Sequence, residues 1–231
     1  MSSNPRLFVI AAPSGAGKTT LVHALTRKHP DFRFSISYTT RKKRRTEADG
    51  VDYLFVEEPE FFKLREEGAL LESAEVFDNH YGTSRKQVEQ HLTDGHSVIL
   101  EIDWQGAQQV RESMPECVTI FIMPPSVEEL ERRLRNRRTD SDEVIARRLR
   151  DALSDMSHWD EFDYVIINDD LDGAVADIEA VLAGTGDSSA TSHVALRRAI
   201  TRILGLSYIT FGYKGFSPPR GSGILAAMSH R

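Results

Sequence analysis

The sequence predicts an α/β fold, a parallel sheet with helices on both faces, on three observations. Four short apolar runs have the continuous hydrophobicity of strands buried on both faces: Leu7 to Ala12, Ser97 to Ile102, Val118 to Met123 and Tyr164 to Ile167. Helical periodicity follows them, and strands alternating with helices imply right-handed crossovers. A glycine-rich turn joins the first run to its helix.

Taken in order, Leu7 to Ala12 (LFVIAA) is broken by Gly15 and Gly17, after which Leu21, Val22 and Leu25 give Thr19 to Lys28 a helical period. From Phe32 to His91 the pattern changes. Short alternating segments at Phe32 to Tyr38, Val51 to Val56 and Leu70 to Phe77 surround one helix near Pro59 to Glu67, which reads as a mixed, β-rich insertion. Further helices are expected at Gln105 to Ser113, Ser126 to Arg137 and Leu171 to Leu182. Arg132 to Arg150 is an arginine-dense helical stretch with a polar break at Thr139 to Asp142. Gly184 to Ser192 (GTGDSSATS) is linker-like, and Val194 to Leu206 has the period of one more amphipathic helix. Ser207 to Arg231 mixes Gly, Pro and aromatics without a period and is expected to be poorly ordered.

Composition bounds the function. The 231 residues are 40% hydrophobic and 28% charged, enough to bury a core. A formal charge of −6 argues against a general nucleic-acid binder. The lone Cys117 excludes an internal disulfide framework and a cysteine-rich zinc site. No apolar run approaches the ~20 residues that span a bilayer, and Pro13 and the glycine-rich turn follow only six apolar residues after Arg6, unlike a signal peptide. A cytoplasmic protein without a membrane partner is expected.

The strongest chemical signal is Ala12-Pro13-Ser14-Gly15-Ala16-Gly17-Lys18-Thr19, between strand and helix. Glycines let successive backbone N–H groups point at phosphate oxygens, and the helix N-terminus adds unpaired donors. Lys18 would reach the β- and γ-phosphates of ATP, and Thr19 would ligate Mg²⁺. Ala12 stands where such motifs carry a leading glycine, which requires a negative φ there. Glu101 and Asp103, at the end of an apolar strand, lie where ligands of open α/β sheets collect, suited to hold Mg²⁺ through water or to contact the acceptor. Arg132, Arg133, Arg135, Arg137, Arg138, Arg147, Arg148 and Arg150 crowd one stretch of an acidic chain. Most are expected to be solvated or paired with Glu128, Glu129, Glu131 and Glu143, leaving two or three to place charge over a migrating phosphoryl group. Arg41 to Arg45 is a second basic cluster that suits an acceptor phosphate or, alone, nucleic acid.

Over about Leu7 to Leu182 these residues resemble the guanylate kinases. The strings that carry the resemblance are APSGAGKTT, SYTTRKKR, GVDYLFV, HYGTSR, LEIDWQGA, PPS-x-x-x-L-x-x-R and INDD. It implies a P-loop NTPase-type domain over 5–184, with core segments 5–34, 93–131 and 157–184. Residues 35–92 would be the GMP-binding insertion and 132–156 a helical lid, with an extension over 185–231. By the same resemblance, Arg41, Arg44, Tyr53 and Tyr81 would hold the GMP phosphate, and Ser37, Glu72, Thr83 and Glu101 would read guanine. Lys18, Arg41, Arg137 and Arg148 would serve phosphoryl transfer, Asn168 would approach adenine, and Mg²⁺ would accompany ATP. The sequence departs from the pattern at Lys42, Lys43 and Arg45, at Glu101 in place of a more usual aspartate, and at Arg138 in place of glycine. Three other readings remain at this point. They are a kinase of ribose 1,5-bisphosphate, a guanylate-kinase-like scaffold that binds phosphopeptides, and a nucleic-acid binder.

Overall fold

The computed structural model describes residues 4–76, 78–136 and 141–211, the last six of them as backbone only. The first apolar run forms β1 (Leu7–Ala11), buried along its whole length. It is flanked by β7 (Val98–Glu101) and β8 (Val118–Met123). Beyond these lie β2 (Arg33–Phe34) and β9 (Tyr164–Ile167), giving the order β2-β7-β1-β8-β9. Every pairing in this sheet is parallel, as the alternation of strands and helices predicted.

Because side chains alternate across a strand, the two sheet faces make separate apolar layers. Phe8, Ile10, Ile99 and Ile120 pack with α1 (Lys18–Lys28) and α7 (Leu171–Leu182). Val9, Leu100, Phe121 and Val165 pack on the other face, with α3 (Arg85–Thr93), α4 (Trp104–Ser113), α5 (Val127–Arg135) and α6 (Asp142–Met156). Each such side chain stabilises the fold by about 1.5–3 kcal/mol through removal from water.

The insertion is a second, four-stranded sheet. Its strands are β3 (Tyr38–Thr39), β4 (Leu54–Phe55), β5 (Leu70–Val76) and β6 (Asn79–Ser84), in the order β4-β3-β6-β5, with α2 (Glu58–Glu66) beside it. The pairing of β3 with β4 is parallel and the others are antiparallel, so the sheet is mixed. Phe77, expected at the end of the third insertion segment, lies outside the described residues. β6 and α3 were not expected. NHYGTS lacks alternation, and RKQVEQHLT buries only Val88, so neither shows a period. What starts α3 is a cap: Ser84 Oγ accepts from Gln87 N at 3.3 Å.

Two expectations for the C-terminal extension are corrected. Gly184 to Ser192 is not a linker. A 3₁₀ turn spans Asp187–Ser189, Ala190 bridges to Tyr164, and Thr191 N donates to Asp163 O at 2.9 Å. Ser189 and Thr191 are buried. The following helix, α8, runs over Val194–Phe211, past the Leu206 end that its period suggested. The residues just past Leu206, SYITF, include the β-branched Ile209 and Thr210, which weaken a helical reading without forbidding a helix. Ile200 and Leu204 of α8 enter the core layer that holds Leu130, Leu134 and Ile145. The rest of the expected tail, 212–231, lies outside the described residues.

Candidate active site

The phosphate-binding turn has the backbone its glycines allow. Gly15 and Gly17 take φ of 91° and 95°, while Asp78 is the one non-glycine with positive φ among the described residues. Ala12 therefore needs no glycine. Gly17 has a second constraint, because a Cβ there would lie 2.4 Å from Asn168 Nδ2. That amide donates to Ala16 O at 2.7 Å. Arg133 bridges the same two segments, donating to Ala16 O at 3.3 Å and to Asn168 O at 3.1 Å, while its Nε donates to Glu129 Oε1 at 2.7 Å. Asn168, expected near adenine, thus spends its amide on the turn. No side chain caps α1, so its first amides and positive dipole end open into the turn.

Glu101, Ile102 and Asp103 meet this turn from β7. Lys18 Nζ donates to Ile102 O at 2.7 Å, and Thr19 Oγ1 donates to Glu101 Oε1 at 2.9 Å. Burial lowers the lysine's pKa, against the opposing pull of Glu101, Asp103, Glu72 and Asp155. Asp103 caps α4, accepting from Gly106 N at 2.7 Å. A hydroxyl beside a carboxylate offers hard oxygen ligands that suit Mg²⁺. Among the described residues no group of three or more His, Cys, Asp or Glu side chains could hold a metal, so phosphates and water would supply most of the coordination.

The second half of the site lies on the insertion. Glu72 on β5 is 4% exposed and pairs across the ladder with Thr83, whose Oγ1 donates to Glu72 Oε1 at 2.7 Å. Burial pushes the Glu72 carboxyl up to about 7; Thr83 and Lys18 pull against the rise, and Asp103 adds to it. Its other oxygen faces α4, where a Cβ on Gly106 would come within 2.7 Å. Only glycine fits beneath that carboxylate.

Arg41 sits over the Tyr53 ring at 5.3 Å, and Tyr81 lies 6.0 Å from Tyr53. Its guanidinium fork is taken by Glu47, at 2.8 and 3.0 Å, which holds the arginine's pKa above its ordinary value. Glu47 also accepts from Arg44 N at 2.8 Å, while the Arg44 side chain stays 71% exposed. Ser37 stands just before β3 and accepts Leu54 N through its carbonyl. The structure thus gathers Arg41, Tyr53 and Tyr81, and separately Glu72 and Thr83, with Lys18 within the field of Glu72.

The arginine-rich stretch expected to act as a lid forms the helices α5 and α6. Arg148 is half-buried on α6, and Arg137 and Arg138 lie outside the described residues. Arg132 and Arg135 form surface pairs of the expected kind, with Glu129 and with Glu131, while Asp142 and Asp151, which pair with Arg135 and Arg147, were not among the expected partners. Such exposed pairs are worth little.

A glycine-rich turn with a lysine and a hydroxyl therefore lies within the electrostatic reach of a buried carboxylate, and the insertion that carries this carboxylate also carries an arginine–tyrosine cluster. The guanylate kinase family profile matches residues 4–185. The chain belongs to the guanylate kinase family. It is 51% identical over 203 residues to the guanylate kinase of Pseudomonas fluorescens strain Pf0-1, covering 88% of this chain and 98% of that one. With the guanylate kinase of Alkalilimnicola ehrlichii it is 50% identical over 199 residues, covering 86% and 98%. The crystal structure of guanylate kinase from Anaplasma phagocytophilum superposes with a TM-score of 0.65 at 36% identity, over 87% of this chain and 95% of that one.

Three residues of this guanylate kinase site escaped the sequence reading. Arg133 stood unassigned among eight arginines, but it alone of that run reaches the phosphate turn in the described hydrogen bonds. Glu47 is an acid six residues after Arg41, a signal available in the basic cluster. Gly106 had no signal until Glu72 was found above it.

Proposed function

We infer that this chain transfers a phosphoryl group from ATP to GMP, forming ADP and GDP. The observation that carries the reading is the buried Glu72–Thr83 pair within the electrostatic reach of Lys18. Guanine presents two donors on one edge, N1–H and the exocyclic amine, and Glu72 can accept them. Adenine presents an acceptor at N1, which would leave two acceptors facing each other. Ser37, Thr83 and Glu101 complete the polar rim for the base. Arg41, Arg44, Tyr53 and Tyr81 take the acceptor phosphate, with Glu47 exchanging part of the Arg41 fork for phosphate oxygens.

On the donor side, Ala12 to Thr19 cradles the ATP phosphates, and Asn168 and Arg133 hold that turn in shape. Lys18, Arg41, Arg137 and Arg148 place charge around the migrating group, so transfer is direct and in line, driven by positioning and electrostatics. Thr19, with Glu101 or Asp103 through water, would hold Mg²⁺, which neutralises phosphate charge when bound. dGMP fits the same contacts, since none of the named residues is assigned to the ribose. The reaction belongs to purine nucleotide metabolism and GMP recycling. A cytoplasmic setting suits nucleotide substrates and a buried, unpaired Cys117.

A coupled assay offering GMP, AMP, UMP and ribose 1,5-bisphosphate with MgATP tests the assignment. GMP should be turned over well above the other three. Turnover of ribose 1,5-bisphosphate in preference to GMP would overturn it.

A further inference from the structure

The segment Glu101 to Gly106 touches the phosphate turn through Glu101 and Ile102 and the acceptor carboxylate through Gly106. Its largest side chain, Trp104, reaches elsewhere, to the end of α6. Trp104 Nε1 donates to Asp155 Oδ1 at 3.1 Å, and its indole stacks on the His158 ring with centroids 3.5 Å apart and planes 10° from parallel. Both partners lie at the C-terminal root of the lid, Asp155 in the last turn of α6 and His158 just after it. The half-buried Asp155 carboxyl has given up water for this contact, since burial raises its pKa to about 6.

Asp155 and Arg148 are seven residues apart on α6, which places them on one helix stripe about 10 Å apart along the axis. Whatever fixes the rotation of the helix at Asp155 also fixes the direction in which Arg148 projects. The neighbouring stripe, Ile145, Leu149, Ala152 and Met156, is apolar and buried. Apolar packing of that kind tolerates small rotations better than a directional hydrogen bond and a stacked ring do.

We propose that Trp104 and Asp155 are positioning residues for phosphoryl transfer: their hydrogen bond ties the root of the lid to the strand–helix junction that holds Lys18, Thr19 and Glu72, and so sets the aim of Arg148. This rests on the phosphotransferase reading above. It concerns the placement of one cation over the migrating group and not the binding of either substrate.

The test is steady-state kinetics of the full-length enzyme at pH 8, where Asp155 is ionised. Asp155→Ala and Trp104→Phe, the latter keeping a ring on His158, should each lower kcat about 10-fold, with GMP and ATP KM unchanged within about 2-fold. Asp155→Asn keeps an oxygen for the indole N–H and should restore most of kcat. The double variant Trp104→Phe/Asp155→Ala should be no worse than either single one, because both remove the same bond. Arg148→Ala serves as the reference for loss of the cation itself. If wild type turns over GMP and Arg148→Ala is crippled while Asp155→Ala is normal, the proposal fails and the functional reading stands. Wild type without GMP turnover would remove the reading itself. An Asp155→Asn variant as slow as Asp155→Ala, or additive losses in the double variant, would likewise overturn the positioning role. Asp155→Ala and Asp155→Asn decide the matter even if Trp104→Phe folds poorly.

Discussion

Glu72 sits in surroundings that favour its neutral form, while a guanine edge asks for its carboxylate. With the carboxyl near 7 in the free protein and 4.5 as its ordinary value, the unfolded chain binds fewer protons between those limits. The contribution of Glu72 to stability is therefore present below about pH 4.5 and lost as pH rises to 7, by about 3 kcal/mol in total. On the proposed function, GMP would reverse the preference by donating two hydrogen bonds to the ionised form. Binding should thus release a proton near pH 7, visible as a buffer-dependent heat in titration calorimetry. The GMP KM should rise about 10-fold between pH 8 and pH 6. Glu72→Gln should lose this pH dependence apart from the part due to the phosphate of GMP itself. It should also melt at higher temperature than wild type at pH 8, and lose about 10- to 150-fold in kcat/KM for GMP. The introduced amide can donate as well as accept, so the GMP-to-AMP ratio of kcat/KM should collapse. Arg44→Ala should weaken both nucleotides alike, because they carry the same phosphate. A GMP-to-AMP ratio unchanged in Glu72→Gln would mean that another group reads the base. Lys18→Met tests the donor side. It should remove most turnover and leave GMP affinity nearly intact, and near-normal turnover would refute the role of the turn.

At the scale of elements, what could be read from the sequence depended on burial. Four of the five strands of the core sheet were legible because both their faces are apolar, and α1, α4, α5 and α7 because each buries a periodic stripe; the fifth strand, β2, falls in the segment Phe32 to Tyr38 that was read with the insertion. β6 and α3 were not legible, since a strand with Gly82 and polar neighbours and a helix with one buried residue carry no such pattern; they are placed by β5 and by the Ser84 cap. The 3₁₀ turn at Asp187–Ser189 was hidden in a run of small polar residues, because its stability comes from backbone bonds to Asp163 and Tyr164, far away in sequence. In the site, Lys18, Thr19 and Glu101 came together as the motif implied. Glu47, Gly106 and Arg133 depended on side-chain partners that no local spacing announces. The extension gives an expectation for this scale. Ile200 and Leu204 are core residues, and Arg197 lies 4.8 Å over the Trp159 ring. Truncation after Gly205 should leave activity and melting temperature close to wild type. Truncation after His193 removes two buried aliphatic side chains and should cost about 3–6 kcal/mol on the area scale, enough to lower the melting temperature by roughly 10 °C. Equal melting temperatures for the two truncations would mean that α8 contributes nothing to the domain.

The whole molecule carries the two halves of the proposed site on different sheets, a parallel core sheet and a mixed four-stranded sheet. Where they meet is informative. β5 is an edge strand, and Gln109 of α4 covers it, accepting from Ser73 N at 3.0 Å and donating to Ser73 O at 2.9 Å. Such a clasp satisfies an otherwise unpaired edge and keeps Glu72, one residue away, beside the core. The opposite edge is β4, next to the loop that carries Arg41, Arg44 and Glu47. A rotation of the insertion about β5 would therefore leave Glu72, the proposed base reader, nearly in place while moving Arg41 and Arg44, the proposed phosphate ligands, much further. The helices expected to form the lid reach the phosphate turn through α5, whose Arg133 donates to Ala16 O and Asn168 O. On the proposed function, closure from both sides would exclude water and bring the acceptor phosphate into line, and it would need both nucleotides, since each would occupy one half. Small-angle scattering of the full chain should show a fall in radius of gyration when a bisubstrate analogue joining adenosine and guanosine through phosphates is added with Mg²⁺. GMP alone should give a smaller fall, and ATP alone should move chiefly the lid. Gln109→Ala frees the β5 edge, so the compaction should survive but the GMP KM should rise, because Glu72 loses its fixed distance from the core. A radius unchanged by the bisubstrate analogue would show that the two halves are already in their working arrangement, and that turnover is not gated by closure.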